Sequence, residues 1–315
     1  PGRRADSRLY LRPDFLMKTV FLRRAVISVA LLTMPLYGIG TSFLNVPFTP
    51  RQLALGGAGT ALWGDPSLFR LNPALVVQEV PATEVFFGYN AWLADARGHS
   101  VVAVQPFMGG TLGLGLRSLT ISDLELRTAR PTDDPLSSFT TSGTAVEAAW
   151  GKGNDKIRLG GTLRWLQMES YIYASSGVAF DVGAIASLLD GRLTAGASLR
   201  NSGQMLAFKE MAPSLPTTAS AGLVFKPILN GSLISTIAAL TVESSDAYGS
   251  VIRIGGETGV KDFTLTGGVR IGEEVTSYAG GVTFRARVIS VGYGFEVASH
   301  GLGIPHLLQV QLTLP

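Results

Sequence analysis

A two-residue alternation of apolar and polar side chains recurs through most of the chain and strongly constrains its fold. In the stretch RVISVGYGFEV (287–297), every second residue from Ile289 to Val297 is large and apolar, and the residues between them are small or polar. The stretches FTLTGGVRI and LLQVQLTL repeat the pattern. A period of two is typical of a β-strand, whose successive side chains point to opposite faces. The chain is therefore predicted to be all-β.

About fourteen such segments follow one another from residue 82 onward. They span roughly 82–94, 98–107, 110–121, 140–151, 155–168, 174–187, 191–201, 215–226, 231–243, 250–259, 261–272, 275–284, 287–297 and 304–314. Each is close to the ~9–11 residues that a tilted strand needs to cross a bilayer. An even strand number suits closure, which leaves no sheet edge unpaired. We predict a transmembrane antiparallel β-barrel of about 14 strands over residues 82–315.

Two connections are predicted to be long, at about 122–139 and 202–214, whereas most of the others are short turns. Short turns on one side and longer loops on the other are typical of outer-membrane barrels. A soluble periplasmic β-protein is the alternative, because its strands also alternate.

Isolated charges within the polar face favour the barrel over a soluble sandwich. They are Arg117, Glu147, Arg158, Arg164, Arg253, Glu257, Arg270 and Glu296. A dry sandwich core holds such charges only at high cost, whereas the polar lumen of a barrel accommodates them. We expect them to pair with one another and with a plug, which keeps the interior closed. A filter for an anionic or polar solute is the alternative.

The first forty residues carry the pattern of an export signal. A basic stretch beginning at Met17 precedes the apolar run AVISVALLTMPLYGIG, so 17–40 is predicted to be a signal peptide for export. Together with the predicted barrel, this indicates a location in the outer membrane. Residues 1–16 are expected to be a non-native upstream extension. Without residues 1–40, 19 basic residues face 21 acidic ones. Such a chain lacks the electrostatic footprint of a nucleic-acid-binding protein.

A glycine cluster in RQLALGGAGTALWGDPSLFRLNPALV (51–76) superficially resembles a phosphate-binding loop. Leu62 stands where a dinucleotide fingerprint needs its third glycine, and no Gly-Lys-Ser/Thr follows. We predict instead that residues 41–81 form a compact plug inside the barrel mouth, with glycines permitting tight turns. The candidate plug residues are Arg51, Gly56, Gly57, Gly59, Asp65, Asn72 and Pro73.

Catalytic and metal-binding patterns are not found in the sequence. The three histidines (His99, His300 and His306) are scattered, cysteine is absent, and no G-x-S-x-G motif occurs. The acidic pairs Asp133-Asp134 and Glu273-Glu274 fall in a loop and a turn and are expected to be solvated. The prediction is a non-enzymatic protein without catalytic residues, metal or cofactor.

Several stretches together resemble one family of outer-membrane barrels. They are FLNVP (43–47), the glycine-rich stretch 51–76, YNAWLADARGHSVVAV (89–104), SGVAFDVGAI (176–185), LTAGASLRNSGQ (193–204), SLPTTASAGLVF (214–225) and VGYGFEVASHGLGIPHLLQVQL near the end. In order along the chain, they resemble the PorV/PorQ family, distant relatives of the fatty-acid transporter FadL. FLNVP and ALGGAGTALW look most like the PorQ branch, which belongs to the type IX secretion system.

The resemblance implies a fourteen-stranded barrel with an N-terminal segment folded into or against the lumen. It also implies a scaffold or anchor in a cell-surface attachment complex, with PorZ-, PorU- and PorV-like proteins as partners beside the outer-membrane lipid. No catalytic residue is carried over. The alternative is a FadL-type channel that admits hydrophobic small molecules.

Overall fold

The structure, a computed structural model, describes residues 41–127, 133–207, 212–227, 234–301 and 303–314. The predicted signal peptide (17–40) and upstream extension (1–16) lie outside these residues. Parts of the two predicted long loops, 128–132 and 208–211, lie outside them as well.

Fourteen antiparallel strands form a closed barrel, in which each strand pairs with its neighbours in the chain and β1 pairs with β14. The strands are β1 (Thr83–Ala91), β2 (Arg97–Phe107), β3 (Gly110–Leu126), β4 (Ser137–Gly153), β5 (Ile157–Ser170), β6 (Tyr173–Leu188), β7 (Leu193–Met205), β8 (Thr218–Phe225), β9 (Ile234–Ser245), β10 (Gly249–Val260), β11 (Phe263–Ile271), β12 (Thr276–Ala286), β13 (Ile289–Ala298) and β14 (His306–Leu314). The predicted fold class and strand number are confirmed.

The alternation seen in the sequence places the large apolar side chains on the outside of the barrel. On β13, Val291, Tyr293 and Phe295 are exposed, whereas the intervening Gly292 and Gly294 are buried. The same arrangement around the barrel produces an apolar outer band, which is the expected surface of a lipid-embedded barrel.

The barrel has two different ends. At the terminal end, where β1 begins and β14 finishes, the strands are joined by short turns such as 108–109, 154–156 and 261–262. At the loop end, the connections include the longer ones after β3 and after β7.

The prediction of a loop over 122–139 was wrong for much of its length. Strands β3 and β4 continue to Leu126 and from Ser137, and the backbone N–H of Leu136 donates to the carbonyl of Leu126 at 2.8 Å. A bulge between Ile121 and Leu124 interrupts the alternation. Similarly, β7 extends to Met205, into the predicted loop 202–214. Outward residues here are polar, so hydrophobic alternation gave no signal.

Among the residues that the structure describes, helical structure is confined to short pieces. The α-helix α1 (Pro50–Ala54) and the 3-10 turns Thr41–Asn45, Pro66–Leu68 and Pro73–Val76 precede β1, and the 3-10 turns Leu93–Asp95, Leu189–Gly191 and Ser299–Gly301 connect strands. Within the described residues, no helix is both long enough and apolar enough to span a membrane.

Candidate functional site

The segment before β1 lies inside the barrel; we call residues 41–77 the luminal segment. Its helix α1 contacts β11–β14, whereas its turn Pro73–Val76 contacts β3–β6, on another side of the barrel. Every residue from Pro66 to Val76 is buried. A chain that touches well-separated parts of the wall and is itself buried must fill the space between them.

The luminal segment extends from the loop end to the terminal end. Near the loop end, the hydroxyl of Thr41 donates to the carbonyl of Ser214 at 2.6 Å, and the side-chain amide of Asn90 donates to the carbonyl of Pro47 at 2.8 Å. At the terminal end, Arg158 donates to the carbonyl of Val77 at 2.9 Å. The lumen is therefore occupied along its length.

Inward-facing glycines of the wall make room for this segment. A Cβ atom added at Gly196 would lie 2.6 Å from the carbonyl oxygen of Thr60, and one at Gly281 would lie 2.7 Å from the Cβ of Ala54. Gly294 gives a similar approach, 2.7 Å from the carbonyl oxygen of Pro50. These distances are too short for any side chain, so the backbone of the luminal segment packs directly on the backbone of the wall.

The predicted plug glycines do not all have the same role. Gly56 and Gly57 have φ values of 61° and 79°, which allow the chain to turn after α1. Gly59 has no such conformation; a Cβ there would lie 2.7 Å from Cδ1 of Leu71, so close packing is its constraint.

Arg51 makes two ion pairs, one with the wall and one within the luminal segment. Its Nε lies 2.8 Å from Oε2 of Glu257 on β10, and its NH1 lies 2.8 Å from Oδ2 of Asp65. Burial opposes the charge on Arg51, but the two carboxylates outweigh it and hold the pKa of Arg51 above its usual value. Asp65 also accepts from the backbone N–H of Ser67 at 3.0 Å and so begins a 3-10 turn.

Asn72 is fully buried and holds three parts of the barrel together. Its amide group donates to the carbonyls of Thr60 at 2.8 Å, Ala184 at 3.2 Å and Ala197 at 3.3 Å. Its Oδ1 accepts from the backbone N–H of Ala74 at 3.0 Å, and Pro73 occupies the first position of the following turn. One amide thereby connects the luminal segment to β6 and β7.

We expect Asn72→Asp to lower the free energy of unfolding by about 1–3 kcal/mol, the cost of leaving buried polar groups unsatisfied. The change preserves shape but replaces the donor that faces three carbonyls by an acceptor. The temperature at which the folded band disappears in heat-modifiable gel migration measures the effect. An unchanged temperature would show that Asn72 is not a fixing point.

A buried ion-pair network is centred on Glu147, which is 1% exposed. Its Oε2 accepts from Nε of Arg70 in the luminal segment, and its Oε1 accepts from Nε of Arg164 at 2.7 Å. NH2 of Arg117 lies 3.3 Å from the same Oε1, and NH1 of Arg117 donates to the carbonyl of Leu44 at 3.2 Å. Three arginines thus share one carboxylate.

A second carboxylate balances Arg164. Asp181 accepts from NH2 of Arg164 at 2.7 Å and from the backbone N–H of Asn201 at 2.7 Å. Asn201 has φ 56° and lies opposite a register shift between Phe180 and Val182. The irregular pairing of β6 and β7 therefore brings Asp181 and Asn201 to the arginine.

Another network surrounds Glu243 on β9. Its Oε2 accepts from NH2 of Arg200 at 2.8 Å, and its Oε1 accepts from NH2 of Arg253 at 3.0 Å and from the hydroxyl of Tyr248. NH1 of Arg253 also donates to the carbonyl of Gly56 at 3.0 Å, which connects this network to the luminal segment.

The eight predicted lumen charges fall into different environments. Arg117, Glu147 and Arg164 share one network, whereas Arg253 and Glu257, on one strand, bind Glu243 and Arg51 instead of each other. The other three have these surroundings: Arg158 lies 3.5 Å above the ring of Trp63, Arg270 lies 5.7 Å from that of Tyr248, and Glu296 lines a cavity.

Sequence reasoning missed six members of these networks: Arg70, Asp181, Arg200, Asn201, Glu243 and Tyr248. The polar face of an alternating strand was the available signal for Asp181, Arg200 and Glu243, because each is a lone charge within a predicted strand or at its end. Arg70 had no such signal, since it lies outside any periodic segment.

Between the networks lies a cavity of about 40 Å³, walled by the luminal segment and by strand side chains. Its charged lining consists of Arg70, Arg117, Arg200, Arg253, Glu243 and Glu296. In the described part of the chain, no three His, Cys, Asp or Glu residues are grouped so as to hold a metal ion. The chemistry that this interior offers is anion recognition by guanidinium groups.

Comparison with solved structures supports the fold at low sequence identity. A Pseudomonas aeruginosa FadL homologue matches with TM-score 0.54 and 10% identity, covering 85% of this chain and 98% of that one. The Pseudomonas putida toluene transporter TodX matches with TM-score 0.52 and 10% identity, covering 89% of this chain and 98% of that one. No family model and no curated protein matches the chain. The fold is that of an outer-membrane β-barrel similar to FadL-type barrels; membership of the PorV/PorQ family stays a prediction.

Proposed function

We propose that this protein is a closed, non-enzymatic outer-membrane barrel that anchors partner proteins of a type IX secretion-type surface attachment complex. The observation that carries the proposal is the filled lumen. The luminal segment is fixed to the wall by ion pairs and by Asn72, and the cavity beside it measures only about 40 Å³. Because a filled lumen leaves no path for a solute, we infer that the barrel functions by binding other proteins at its surface.

The outer band supports placement in the outer membrane. Outward side chains such as Leu163 and Leu265 are 64% and 66% exposed, and similar residues continue around the barrel. An apolar surface of this extent is a liability in water but is the lipid-facing surface of a membrane barrel.

A raised wall at the loop end offers a docking surface for a partner. Beyond the outward Val146 and Trp165, β4 and β5 continue with outward Ser and Thr residues and with Gln167 and Glu169. Polar outward residues at this level indicate that these strands continue past the apolar band into water.

Large apolar side chains are exposed at the tip of this wall. We call them the loop-end patch: Leu136, Tyr171, Ile172 and Leu206, exposed by 63%, 53%, 72% and 65%. The ring of Tyr171 packs on that of Phe139 at 5.8 Å, and the backbone N–H of Leu206 donates to the carbonyl of Ser176 at 2.7 Å. The patch combines exposed apolar anchors with a held backbone, as protein-binding surfaces do. We propose that the partner protein binds there.

Co-purification from native membranes tests the proposal. With a tagged barrel, we expect a surface protein to co-purify, and Tyr171→Ser combined with Ile172→Ser to reduce its recovery by about tenfold or more, since buried aromatic anchors carry much of the energy of an interface. Met108→Ser is the matched control, because Met108 is 79% exposed in a turn at the opposite end.

Both variants should keep heat-modifiable migration. If no surface or secretion partner is recovered with the wild type under conditions that retain other barrels, the anchoring role is wrong.

A channel for hydrophobic small molecules is the second candidate, favoured by structural similarity to a protein described as a toluene transporter. The cavity here is small and lined by four arginines, which suits an apolar solute poorly. Toluene uptake that falls on deletion of the gene would favour the channel, whereas unchanged uptake would argue against it.

A further inference from the structure

The interior around the cavity carries more positive than negative charge. In the two ion-pair networks and the lining of the cavity, the described residues include six arginines (Arg70, Arg117, Arg164, Arg200, Arg253 and Arg270) and four carboxylates (Glu147, Asp181, Glu243 and Glu296). The excess is two positive charges. Glu257, also on β10, does not compensate this excess. It lies four residues from Arg253, about 13 Å along the strand, and is already paired with Arg51.

Several guanidinium N–H groups at this place have no acceptor. Arg70, Arg117 and Arg200 are 6%, 2% and 7% exposed, and all three line the cavity. NH1 and NH2 of Arg70, Nε of Arg117 and Nε of Arg200 are buried without a hydrogen-bond partner among the described residues. NH2 of Arg117 has only its ion-pair contact with Glu147 at 3.3 Å. Water in the cavity would satisfy such donors, but it would leave the net charge uncompensated, which is costly in a buried site.

The cavity limits what can supply the missing charge. Its volume of about 40 Å³ exceeds the ~15 Å³ that one water molecule needs. The uncharged part of its lining contains apolar side chains together with Asn45, Gln52 and Tyr248. Four arginines and two carboxylates, Glu243 and Glu296, line the cavity, so the positive charges of its lining outnumber the negative ones. Guanidinium groups with free N–H donors match the oxygens of phosphate or sulfate.

We propose that this cavity binds one small tetrahedral oxyanion, of the phosphate or sulfate type, held between Arg70 and Arg117 on one side and Arg200 and Arg253 on the other. Arg70 belongs to the luminal segment and the other three belong to the wall. The anion therefore connects the two and stabilises the closed barrel. This site is independent of the proposed anchoring role.

Thermal unfolding of the detergent-solubilised full chain tests the site. Protein purified in chloride buffer is heated with inorganic phosphate or with sulfate, and sodium chloride of equal ionic strength is the reference. We expect either oxyanion to raise the unfolding temperature by about 5 °C at saturating concentration, because a ligand that binds only the folded state stabilises it by mass action. No shift beyond that of chloride would overturn the proposal.

Arg200→Met and its control identify the binding groups. Arg200→Met should remove most of the oxyanion-dependent shift. Arg158→Met is matched, because Arg158 is also a buried luminal arginine (4% exposed) but lies near Trp63, outside the cavity lining. It should keep the shift. Equal loss in both variants would contradict a specific site.

Asn45→Asp distinguishes a change in oxyanion binding from a general destabilisation of the fold. Asn45 lines the cavity, and its Oδ1 is buried without a hydrogen-bond partner among the described residues. The isosteric change adds a negative charge beside the arginines, so we expect a higher unfolding temperature without phosphate and a smaller response to phosphate. A lower unfolding temperature with an undiminished response would contradict the excess positive charge.

Discussion

Replacing Glu147 by glutamine is expected to lower the free energy of unfolding by about 3–5 kcal/mol, as breaking a buried ion pair does. Glu147 is 1% exposed and faces Arg70, Arg117 and Arg164. Without its charge, Asp181 alone compensates Arg164, and the other two arginines are left buried without a counter-ion. Because Arg70 belongs to the luminal segment, the damage should also loosen its attachment to the wall.

Urea titration of the barrel in lipid vesicles, followed by tryptophan fluorescence, measures this loss. Glu125→Gln is the matched control: Glu125 also pairs with an arginine, Nε of Arg127 at 2.7 Å, but the two side chains are 53% and 41% exposed. An exposed pair contributes little, so this variant should unfold like the wild type. Equal midpoints for Glu147→Gln and Glu125→Gln would mean that the buried network does not stabilise the barrel.

Gly268→Val is expected to displace the luminal segment and to produce ion-conducting pores. A Cβ atom at Gly268 would collide with the backbone of Leu55 and Gly56, which cannot move aside as a flexible side chain can. Overpacking of this kind typically costs about 1–3 kcal/mol. The strain is relieved when the segment moves away from β11, and this movement opens the lumen.

Single-channel recording in planar bilayers tests this expectation, with Gly267→Val as the matched control. Gly267 is the neighbouring residue on the outer face, where a Cβ would be no closer than 3.9 Å to its nearest contact. Valine there adds only a lipid-facing side chain and should leave the barrel closed. If both variants stay closed, the contact of Gly268 with the luminal segment does not maintain closure. If both conduct, the effect does not come from that contact.

The barrel itself could be predicted from the sequence because one local signal repeats in nearly every strand. On β13, the outward Tyr293 and Phe295 and the inward Gly292 and Gly294 alternate, and this period of two determines which face meets lipid. The alternation of apolar and polar residues is lost where the outer face of a strand meets water instead of lipid. Ser138, Thr140 and Ser142 on β4 are polar on the outer face, so the strand extension could not be distinguished from a loop.

The partners of the lumen charges could not be predicted, because they depend on register and on a bulge. Arg164 and Glu147 lie directly opposite each other on β5 and β4, which requires the register of two strands to be known. Asp181 reaches Arg164 where the pairing of β6 and β7 is irregular, a feature without a sequence period. Arg70 comes from the non-periodic luminal segment, so only the folded chain places it beside Glu147.

The glycine cluster shows how much a local motif can mislead. Gly56 and Gly57 provide left-handed backbone after α1, and Gly59 provides close packing against Leu71, without any nucleotide chemistry. Their spacing reflects a chain that must turn tightly within a narrow lumen. The inward glycines of the wall indicate the path of the luminal segment, because Gly196, Gly281 and Gly294 each lie where this segment contacts the wall.

Closure of the barrel by the luminal segment is tested most directly by the conductance of the wild-type protein in planar bilayers. We predict no stable channel openings after insertion, with insertion verified by heat-modifiable migration of the recovered protein. Regular ohmic openings of the wild type would contradict a closed barrel and would favour the channel.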